Sequence, residues 1–290
     1  MAAPNADSQV GLERLSDWIG KTERAEENFS QFPLAGLTAL LDYETPPWNA
    51  GELPPLAHWL YFLPAARQSD IDTDGHPKRG GFLPPVPLPR RMWAGGRLAF
   101  SNPLRVGANS ERLSTIADVK VKEGASGRLV FVTVRHEVSC DGELCVTEEQ
   151  DIVYREPVAP STSAPPAKKP KPLPKADVVR TLTPTPAMLF RFSALTFNAH
   201  RIHYDEAYAR DVEGYAERVV HGPLLATLLA DLFSRSAPDQ RIGKFSFRAS
   251  RPMLANSPFD LCLAWTSTGA KLWSQNTAGE ATMNAEIDAA

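Results

Sequence analysis

The feature that most constrains the fold is a proline- and lysine-rich segment near the middle of the chain. Residues 157–177 read PVAPSTSAPPAKKPKPLPKAD and contain almost no large apolar side chain. Such a segment cannot form a packed core and is typical of an extended, semi-rigid linker. It predicts an N-terminal domain at 8–156 and a C-terminal domain at 178–290. Four lysines keep a linker of this kind solvated without requiring an anionic partner: Lys168, Lys169, Lys171 and Lys175.

The N-terminal half combines helical and strand-like sequence. Two helical stretches, LERLSDWIGK and PLAGLTALLD, come first, and a proline-rich passage follows them. Strand-like runs then occupy 112–124, 128–140 and 143–156. In the second run, valines alternate with other residues as they do in a strand that buries one face: Val130, Val132 and Val134. The breaks EGASG and CDGE between the runs indicate hairpin turns.

The C-terminal half contains one long apolar helix, PLLATLLADLFSRS, followed by strand-like runs at 242–254, 259–269 and 271–289. Six residues of the helix form a broad apolar stripe: Leu224, Leu225, Leu228, Leu229, Leu232 and Phe233. Such a stripe requires a sheet to cover it. A helix followed by hairpin-linked strands predicts the α+β class, with an antiparallel sheet wrapped around a central helix. The similar order of elements in the first half indicates two copies of one unit.

Composition argues against several kinds of partner. The net charge of −3 and the isoelectric point of about 6.1 offer no basic surface for nucleic acid. No apolar run approaches the roughly 18 residues of a membrane span, and the first residues lack the pattern of a secretory signal. We therefore expect a cytoplasmic protein. Of the three cysteines, Cys140 and Cys145 flank a DGEL turn, so we expect reduced thiols and no metal site.

Two short motifs of the C-terminal half carry the candidate chemistry. In TFNAHRIHYD, Asp205 is a good N-cap for the helix EAYARDVEG, so His203 lies just before a helix and Asn198 lies five residues earlier. A histidine at that place can take up a proton near neutral pH. In VVHGP, Pro223 suits the first position of the long helix, and Gly222 leaves backbone amides exposed there. Such amides suit a developing oxyanion.

The stretch SALTFNAHRIHYDEAYARDVEGYAERVVHGPLLATLLADL resembles the hydratase motif of the MaoC-like, R-specific enoyl-thioester hydratases and dehydratases, which have the hotdog fold. In that family a catalytic aspartate stands five residues before a catalytic histidine, and a glycine amide binds the thioester oxygen. The resemblance implies that His203 is the histidine and Gly222 the oxyanion glycine. Asn198 occupies the aspartate position and cannot accept a proton. His200, where the family has an asparagine, is a hypothetical source of the missing basicity.

Further phrases extend the resemblance to most of the chain. GGFLPPVPLPRRMWAGGRLAF, the linker and FSFRASRPML are similar to a two-hotdog subgroup. That subgroup includes mesaconyl-C4-CoA hydratase, itaconyl-CoA hydratase and the type 2 hydroxyacyl-thioester dehydratases. Its N-terminal hotdog has lost the catalytic pair and shapes the acyl pocket. The resemblance therefore implies a non-catalytic hotdog at 8–156 and a catalytic one at 178–290.

Five side chains are candidates for binding the ends of an acyl-CoA. Guanidinium groups bind carboxylates and phosphates bidentately, which points to Arg90 and Arg91, with Trp93 beside them. Arg248 and Arg251 are further candidates, although their spacing on a strand allows at most one of them to face a given ligand. Surface ion pairs are the alternative for each arginine.

The sequence thus predicts a hydro-lyase that adds water reversibly to an α,β-unsaturated acyl-CoA, with mesaconyl-C4-CoA or itaconyl-CoA as expected substrates. His203 activates the water, Asn198 positions it and the Gly222 amide holds the thioester oxygen. We expect no cofactor beyond the CoA of the substrate, and an open sheet edge would allow a dimer. Three alternatives remain open: dehydration of a 3-hydroxyacyl group on acyl carrier protein, a catalytically silent thioester-binding subunit, and thioester hydrolysis.

Overall fold

The computed structural model describes residues 11–124, 127–156 and 173–290. The strands are β1 (Thr22–Asn28), β2 (Arg90–Phe100), β3 (Asn109–Gly124), β4 (Gly127–Cys140), β5 (Glu143–Arg155), β6 (Val178–Leu182), β7 (Ile242–Ala249), β8 (Phe259–Trp265), β9 (Gly269–Gln275) and β10 (Ala281–Ala289). The α-helices are α1 (Gln31–Leu40), α2 (Pro186–Leu195), α3 (Glu206–Asp211) and α4 (Gly222–Ser236). Short 3₁₀ turns lie at Leu12–Trp18, Ala57–Leu60, Gln68–Asp70 and Arg201–His203.

These strands form one antiparallel sheet in the order β1-β3-β4-β5-β2-β7-β10-β9-β8-β6. The first five and the last five strands repeat one topology, because 1-3-4-5-2 in the first half corresponds to 6-8-9-10-7 in the second. The halves meet where β2 pairs with β7. A Cβ atom on Gly95 of β2 would lie 2.6 Å from the carbonyl oxygen of Phe247, so this close junction requires glycine. The repeated order confirms the prediction of two copies of an α+β unit.

The long helix α4 is the central helix of the C-terminal half. It packs across β7, β8, β9 and β10, and the six residues of its predicted apolar stripe are all buried. Among the described residues of the N-terminal half, the ten-residue α1 is the only α-helix, and it packs against α2 and the turn Ala57–Leu60. Residues 41–89, which occupy the place of α4 in the chain order of this half, contain no α-helix. The two copies therefore share a sheet topology and differ in the helix that the sheet covers.

Local patterns in the sequence predicted several elements correctly. The alternating valines of β4 all face the core: Val130, Val132 and Val134. Asp205 caps α3, since its side chain accepts a hydrogen bond from the Tyr208 N–H at 3.0 Å. By contrast, LERLSDWIGK forms a 3₁₀ turn at Leu12–Trp18 rather than an α-helix, and β1, β2 and β6 were not among the predicted strands.

All three cysteines are free and buried, as expected for reduced thiols. No helix in the described ranges is long and apolar enough to span a bilayer. Most of the predicted linker, with Lys168, Lys169 and Lys171, lies outside the described residues, while Lys175 is exposed. The domain boundaries at 156 and 178 stay a prediction. Strand β5 ends at Arg155 and strand β6 begins at Val178, close to these boundaries.

Candidate active site

A cavity of about 1430 Å³ is lined by both halves of the chain. It is larger than most pockets for small molecules. The C-terminal half contributes Asn198, His200, His203 and Gly222, which are the predicted motif residues. The N-terminal half contributes, among others, residues 74–83 and 89–93. Both sequence motifs therefore meet in one cavity, and the N-terminal half forms part of its wall.

The segment between α2 and α3 presents the first motif to this cavity. Phe197 reverses the chain after α2 with a φ of 47°. The side-chain oxygen of Asn198 then accepts a hydrogen bond from the His200 N–H at 2.9 Å. Asparagine forms this kind of side-chain-to-backbone bond in turns. Asn198 thus holds the turn that leads into the 3₁₀ turn Arg201–His203.

His203 is buried, and the backbone determines its tautomer. Its Nδ1 lies 2.7 Å from the carbonyl oxygen of Val219, which can only accept a hydrogen bond. Nδ1 therefore carries the proton, and Nε2 is left with a lone pair. Burial lowers the pKa of His203 to about 4, so the ring is neutral at physiological pH. A neutral, oriented imidazole is the form that can act as a general base.

The second motif places His221 and Gly222 at the start of α4. The ring of His221 stacks on that of His203, with the ring centroids 3.7 Å apart, and its Nε2 lies 2.9 Å from Oγ of Ser193. Burial, together with the neighbouring His203, lowers the pKa of His221. The His221 ring is therefore neutral and packs against the ring of His203. Gly222 is the first residue of the helix, and none of the described residues accepts its N–H. Because Gly222 lines the cavity, its amide is available to an oxyanion.

Asp74 and His76, to which no sequence motif pointed, extend the histidine cluster from the N-terminal half. His76 Nδ1 lies 3.0 Å from the Asp74 carboxylate, and the His76 ring lies 4.1 Å from that of His200, between centroids. The His200 ring in turn lies 5.2 Å from that of His203. Burial, reinforced by the neighbouring imidazoles, lowers the pKa of His200 to about 2. Four imidazoles thus form a chain from Asp74 to the start of α4.

Among the predicted arginines, Arg91 is the best placed to bind an anion. Arg91 lines the cavity and has no carboxylate within ion-pair distance among the described residues. Arg90 also lines the cavity, but its Nε lies 3.2 Å from the Glu213 carboxylate, and its Nη2 donates to the Glu213 carbonyl oxygen. An arginine already paired in this way is less available to a substrate carboxylate.

Three further candidates for substrate binding differ in their surroundings. Arg248 is exposed on β7 and does not line the cavity, because side chains alternate along a strand and Phe247 takes the buried side. Arg251 reaches the cavity, but its guanidinium pairs with Glu280 at 3.2 Å. Trp93 packs against Trp59 and Phe247 and donates to its own strand at Gly95, so it forms an apolar wall rather than an anion ligand.

Comparison with known proteins identifies the family of this arrangement. The family model described as hydroxyacyl-thioester dehydratase type 2 matches residues 56–255, which include every cavity residue of both motifs and Arg91. The chain belongs to the hydroxyacyl-thioester dehydratase type 2 family. It is 46% identical over 276 residues to a protein of Chloroflexus aurantiacus named mesaconyl-C(4)-CoA hydratase, covering 93% of this chain and 96% of the relative.

Solved structures support the fold of the family. A MaoC-like dehydratase from Phytophthora capsici superposes with a TM-score of 0.68 at 13% identity, covering 97% of this chain and 99% of the other. A protein of Mycobacterium tuberculosis described as having a double hotdog fold superposes with a TM-score of 0.55 at 12% identity, covering 96% and 97%. The predicted double-hotdog fold is thereby confirmed. Membership of the family also confirms the predicted enzyme class, a hydro-lyase.

Proposed function

We propose that this enzyme reversibly hydrates an α,β-unsaturated acyl-CoA whose acyl group carries a carboxylate, with mesaconyl-C4-CoA as the expected substrate. The observation that carries the proposal is the pairing, in one cavity, of a neutral His203 with an available Nε2 and the unsatisfied amide of Gly222. The 46% identity to a mesaconyl-C(4)-CoA hydratase supports the choice of substrate. Catalysis needs no cofactor in this scheme, since CoA arrives with the substrate.

The proposed reaction assigns one role to each group. The water oxygen bonds to the β-carbon while His203 Nε2 accepts one of its protons. The π electrons move through the α-carbon onto the thioester oxygen, where the Gly222 N–H and the positive end of α4 stabilise the enolate. The proton on His203 is then delivered to the α-carbon, and the thioester is regenerated. In the dehydration direction the same steps run in reverse.

The substrate carboxylate has a candidate partner in Arg91. In mesaconyl-C4-CoA the carboxylate is attached to the β-carbon, so it lies beside the site of water attack. Arg91 lies in the cavity wall near His76 and His200, and its charge acts on both rings. A guanidinium in that place can bind the carboxylate bidentately and orient the β-carbon towards the water.

The activity is tested by following the loss of enoyl-thioester absorbance with purified protein and mesaconyl-C4-CoA, itaconyl-CoA or crotonyl-CoA. We expect turnover that is fastest with a carboxylated acyl group. Release of free thiol would instead indicate thioester hydrolysis. Binding of all three thioesters without turnover of any would identify a catalytically silent subunit and refute the proposal.

Arg91→Met is expected to raise KM for mesaconyl-C4-CoA about 10–100-fold, because it removes hydrogen bonds from a charged donor, and to change KM for crotonyl-CoA less than about threefold. Arg248→Met is the matched control, since that arginine is exposed on β7 outside the cavity. Steady-state kinetics on both substrates measures the difference. Equal increases for the two substrates would show that Arg91 does not bind the carboxylate.

The pH dependence of kcat/KM is expected to reflect the buried state of His203. With its pKa lowered to about 4, the neutral base persists well below the usual histidine range, and activity is lost as pH falls through about 4. The neighbouring His76 also disfavours a positive charge on His203. Initial rates between about pH 3 and 8 measure the profile, with circular dichroism recorded at each pH to show that the protein stays folded. A midpoint near 6.5 in folded protein would contradict the assignment.

A second candidate is dehydration of a 3-hydroxyacyl thioester, which the name of the family model favours. A profile of 3-hydroxyacyl chains on CoA and on acyl carrier protein distinguishes the two, because longer apolar chains on the carrier would react best in that case.

We further propose a cytoplasmic location and a small-molecule thioester as the partner, without nucleic acid. Sedimentation of the full chain would test the suggested dimer.

A further inference from the structure

The loop TFNAHRIHYD at residues 196–205, called the motif loop below, resembles MaoC-like enzymes but lacks the carboxylate that they have there. Asn198 stands in that place, and its neutral amide cannot accept a proton. Its side-chain oxygen is already engaged with the His200 N–H at 2.9 Å. His203 is therefore the one group of this loop shown to offer an oriented lone pair. A second polar group that faces the reacting water has to come from elsewhere.

A tight turn of the N-terminal half packs directly on this loop. In residues 71–77, Ile71 bridges to Pro77, and the Asp74 carbonyl oxygen accepts the Arg201 N–H at 2.9 Å. Gly75 adopts a φ of 92°, and a Cβ atom there would lie 1.8 Å from the carbonyl oxygen of Ala199. Only glycine permits so close an approach of the two backbones. The turn is therefore shaped to reach the motif loop.

This contact places a carboxylate beside the histidines. One oxygen of Asp74 accepts the His76 N–H at 2.8 Å, and the other lies 3.0 Å from His76 Nδ1. Asp74, His76 and His200 each have a side-chain oxygen or nitrogen within 4.8 Å of the others. Burial alone would raise the pKa of Asp74, but the bonds from His76 and the nearby His200 outweigh it and hold that pKa below its usual range. A charged carboxylate thus lies beside the neutral imidazoles of His76 and His200, and the His200 ring lies next to that of His203.

We propose that Asp74 supplies the carboxylate that position 198 lacks, acting through His76 and His200. Asp74 is a positioning residue in this scheme, and His200, whose ring centroid lies 5.2 Å from that of His203 in the same cavity, is the second group that contacts the water. The inference rests on the proposed hydration. It also gives the N-terminal half a part in catalysis, beyond the shaping of the acyl pocket.

The proton count of the reaction is unchanged by this arrangement. His203 takes one water proton as the C–O bond forms and passes it to the α-carbon. The second O–H remains on the new hydroxyl group, and His200 orients it by accepting its hydrogen bond. Asp74 holds His76 by accepting its Nδ1–H, and its negative charge favours the positive charge that develops in the imidazole cluster.

The test transfers the carboxylate from one half to the other. Asp74→Asn is expected to lower kcat for crotonyl-CoA about 10²-fold with KM within about threefold, because the imidazoles that act on the water lose the carboxylate that orients them. Adding Asn198→Asp to Asp74→Asn is expected to restore at least about tenfold of kcat, because the carboxylate is then beside the same histidines. Asp72→Asn is the matched control: its carboxylate is exposed in the same turn and should leave kcat unchanged.

The outcomes separate this inference from the proposed function. If wild type does not hydrate any enoyl-CoA, the proposed function fails. If wild type is active and His203→Ala is not, while Asp74→Asn keeps full kcat, the inference about Asp74 fails alone. Loss of kcat in Asp74→Asn that the double variant does not restore, accompanied by a lower Tm, would make Asp74 merely structural. Inactivation by a chelator with recovery on adding Zn²⁺ would make the three groups a metal site and overturn the inference.

Discussion

His203→Ala is expected to lower kcat for hydration of crotonyl-CoA by about 10³-fold while the protein still binds a saturated acyl-CoA. The variant removes the only imidazole of the motif loop whose tautomer the backbone determines, through the 2.7 Å contact of Nδ1 with Val219. Without it, water must attack with no oriented base, although the Gly222 amide can still bind the thioester oxygen. The residual rate should therefore remain above that of the uncatalysed reaction.

The experiment pairs stopped-flow absorbance with calorimetric binding of butyryl-CoA, which has no double bond to hydrate. His203→Gln serves as the second variant, because glutamine retains a donor for the Val219 carbonyl but cannot take up a proton. We expect it to be as slow as the alanine variant. Full activity in the glutamine variant would mean that the histidine only supports its neighbours, and it would move the base to His200.

The elements that the sequence predicted well are those with local causes. The stripe of α4 and the alternating valines of β4 show the periods of a helix and of a strand with one buried face, which depend only on neighbouring residues. The Asp205 cap depends on a contact three residues away. The motif residues His203 and Gly222 meet in one cavity because the short α3 returns the chain to α4.

The strands that escaped prediction lack such periods. β1, with the sequence TERAEEN, is the edge strand beside β3, and five of its seven side chains are exposed. β6 is a five-residue edge strand beside β8. An edge strand is held by backbone hydrogen bonds to its neighbour, and these leave little trace in the side chains. β2 contains two adjacent glycines because it pairs closely with β7 at the junction of the halves.

The N-terminal part of the site depends on tertiary packing. Asp74 lies more than a hundred residues before His200 in the chain, and the two meet only because the 71–77 turn packs on the motif loop. The sequence DTDGHP can be recognised as a turn, but nothing in it indicates that this turn packs on the loop that carries His200. The arginines show the same limit, since Arg91 faces the cavity and Arg248 does not. Strand alternation separates two faces without indicating which face covers the site.

Gly222→Ala is expected to fold normally and to lose about 10²-fold in kcat, comparable to the loss of one oxyanion donor. A Cβ atom at this position would meet only the carbonyl oxygen of Trp93, at an ordinary 3.8 Å, so the protein itself has room for the methyl group. Alanine also favours helix over glycine, so Tm should not fall. The methyl group would occupy space beside the amide that the thioester oxygen needs in order to approach it.

The effect of this substitution should appear mainly in kcat, because the negative charge on the thioester oxygen develops in the transition state. Steady-state kinetics with crotonyl-CoA, the Tm from calorimetry and the affinity for butyryl-CoA together test this expectation. A large loss of butyryl-CoA binding with kcat preserved would mean that the methyl group only blocks the acyl chain. An unchanged kcat with normal binding would place the thioester oxygen away from the start of α4, and the mechanism would then need another donor.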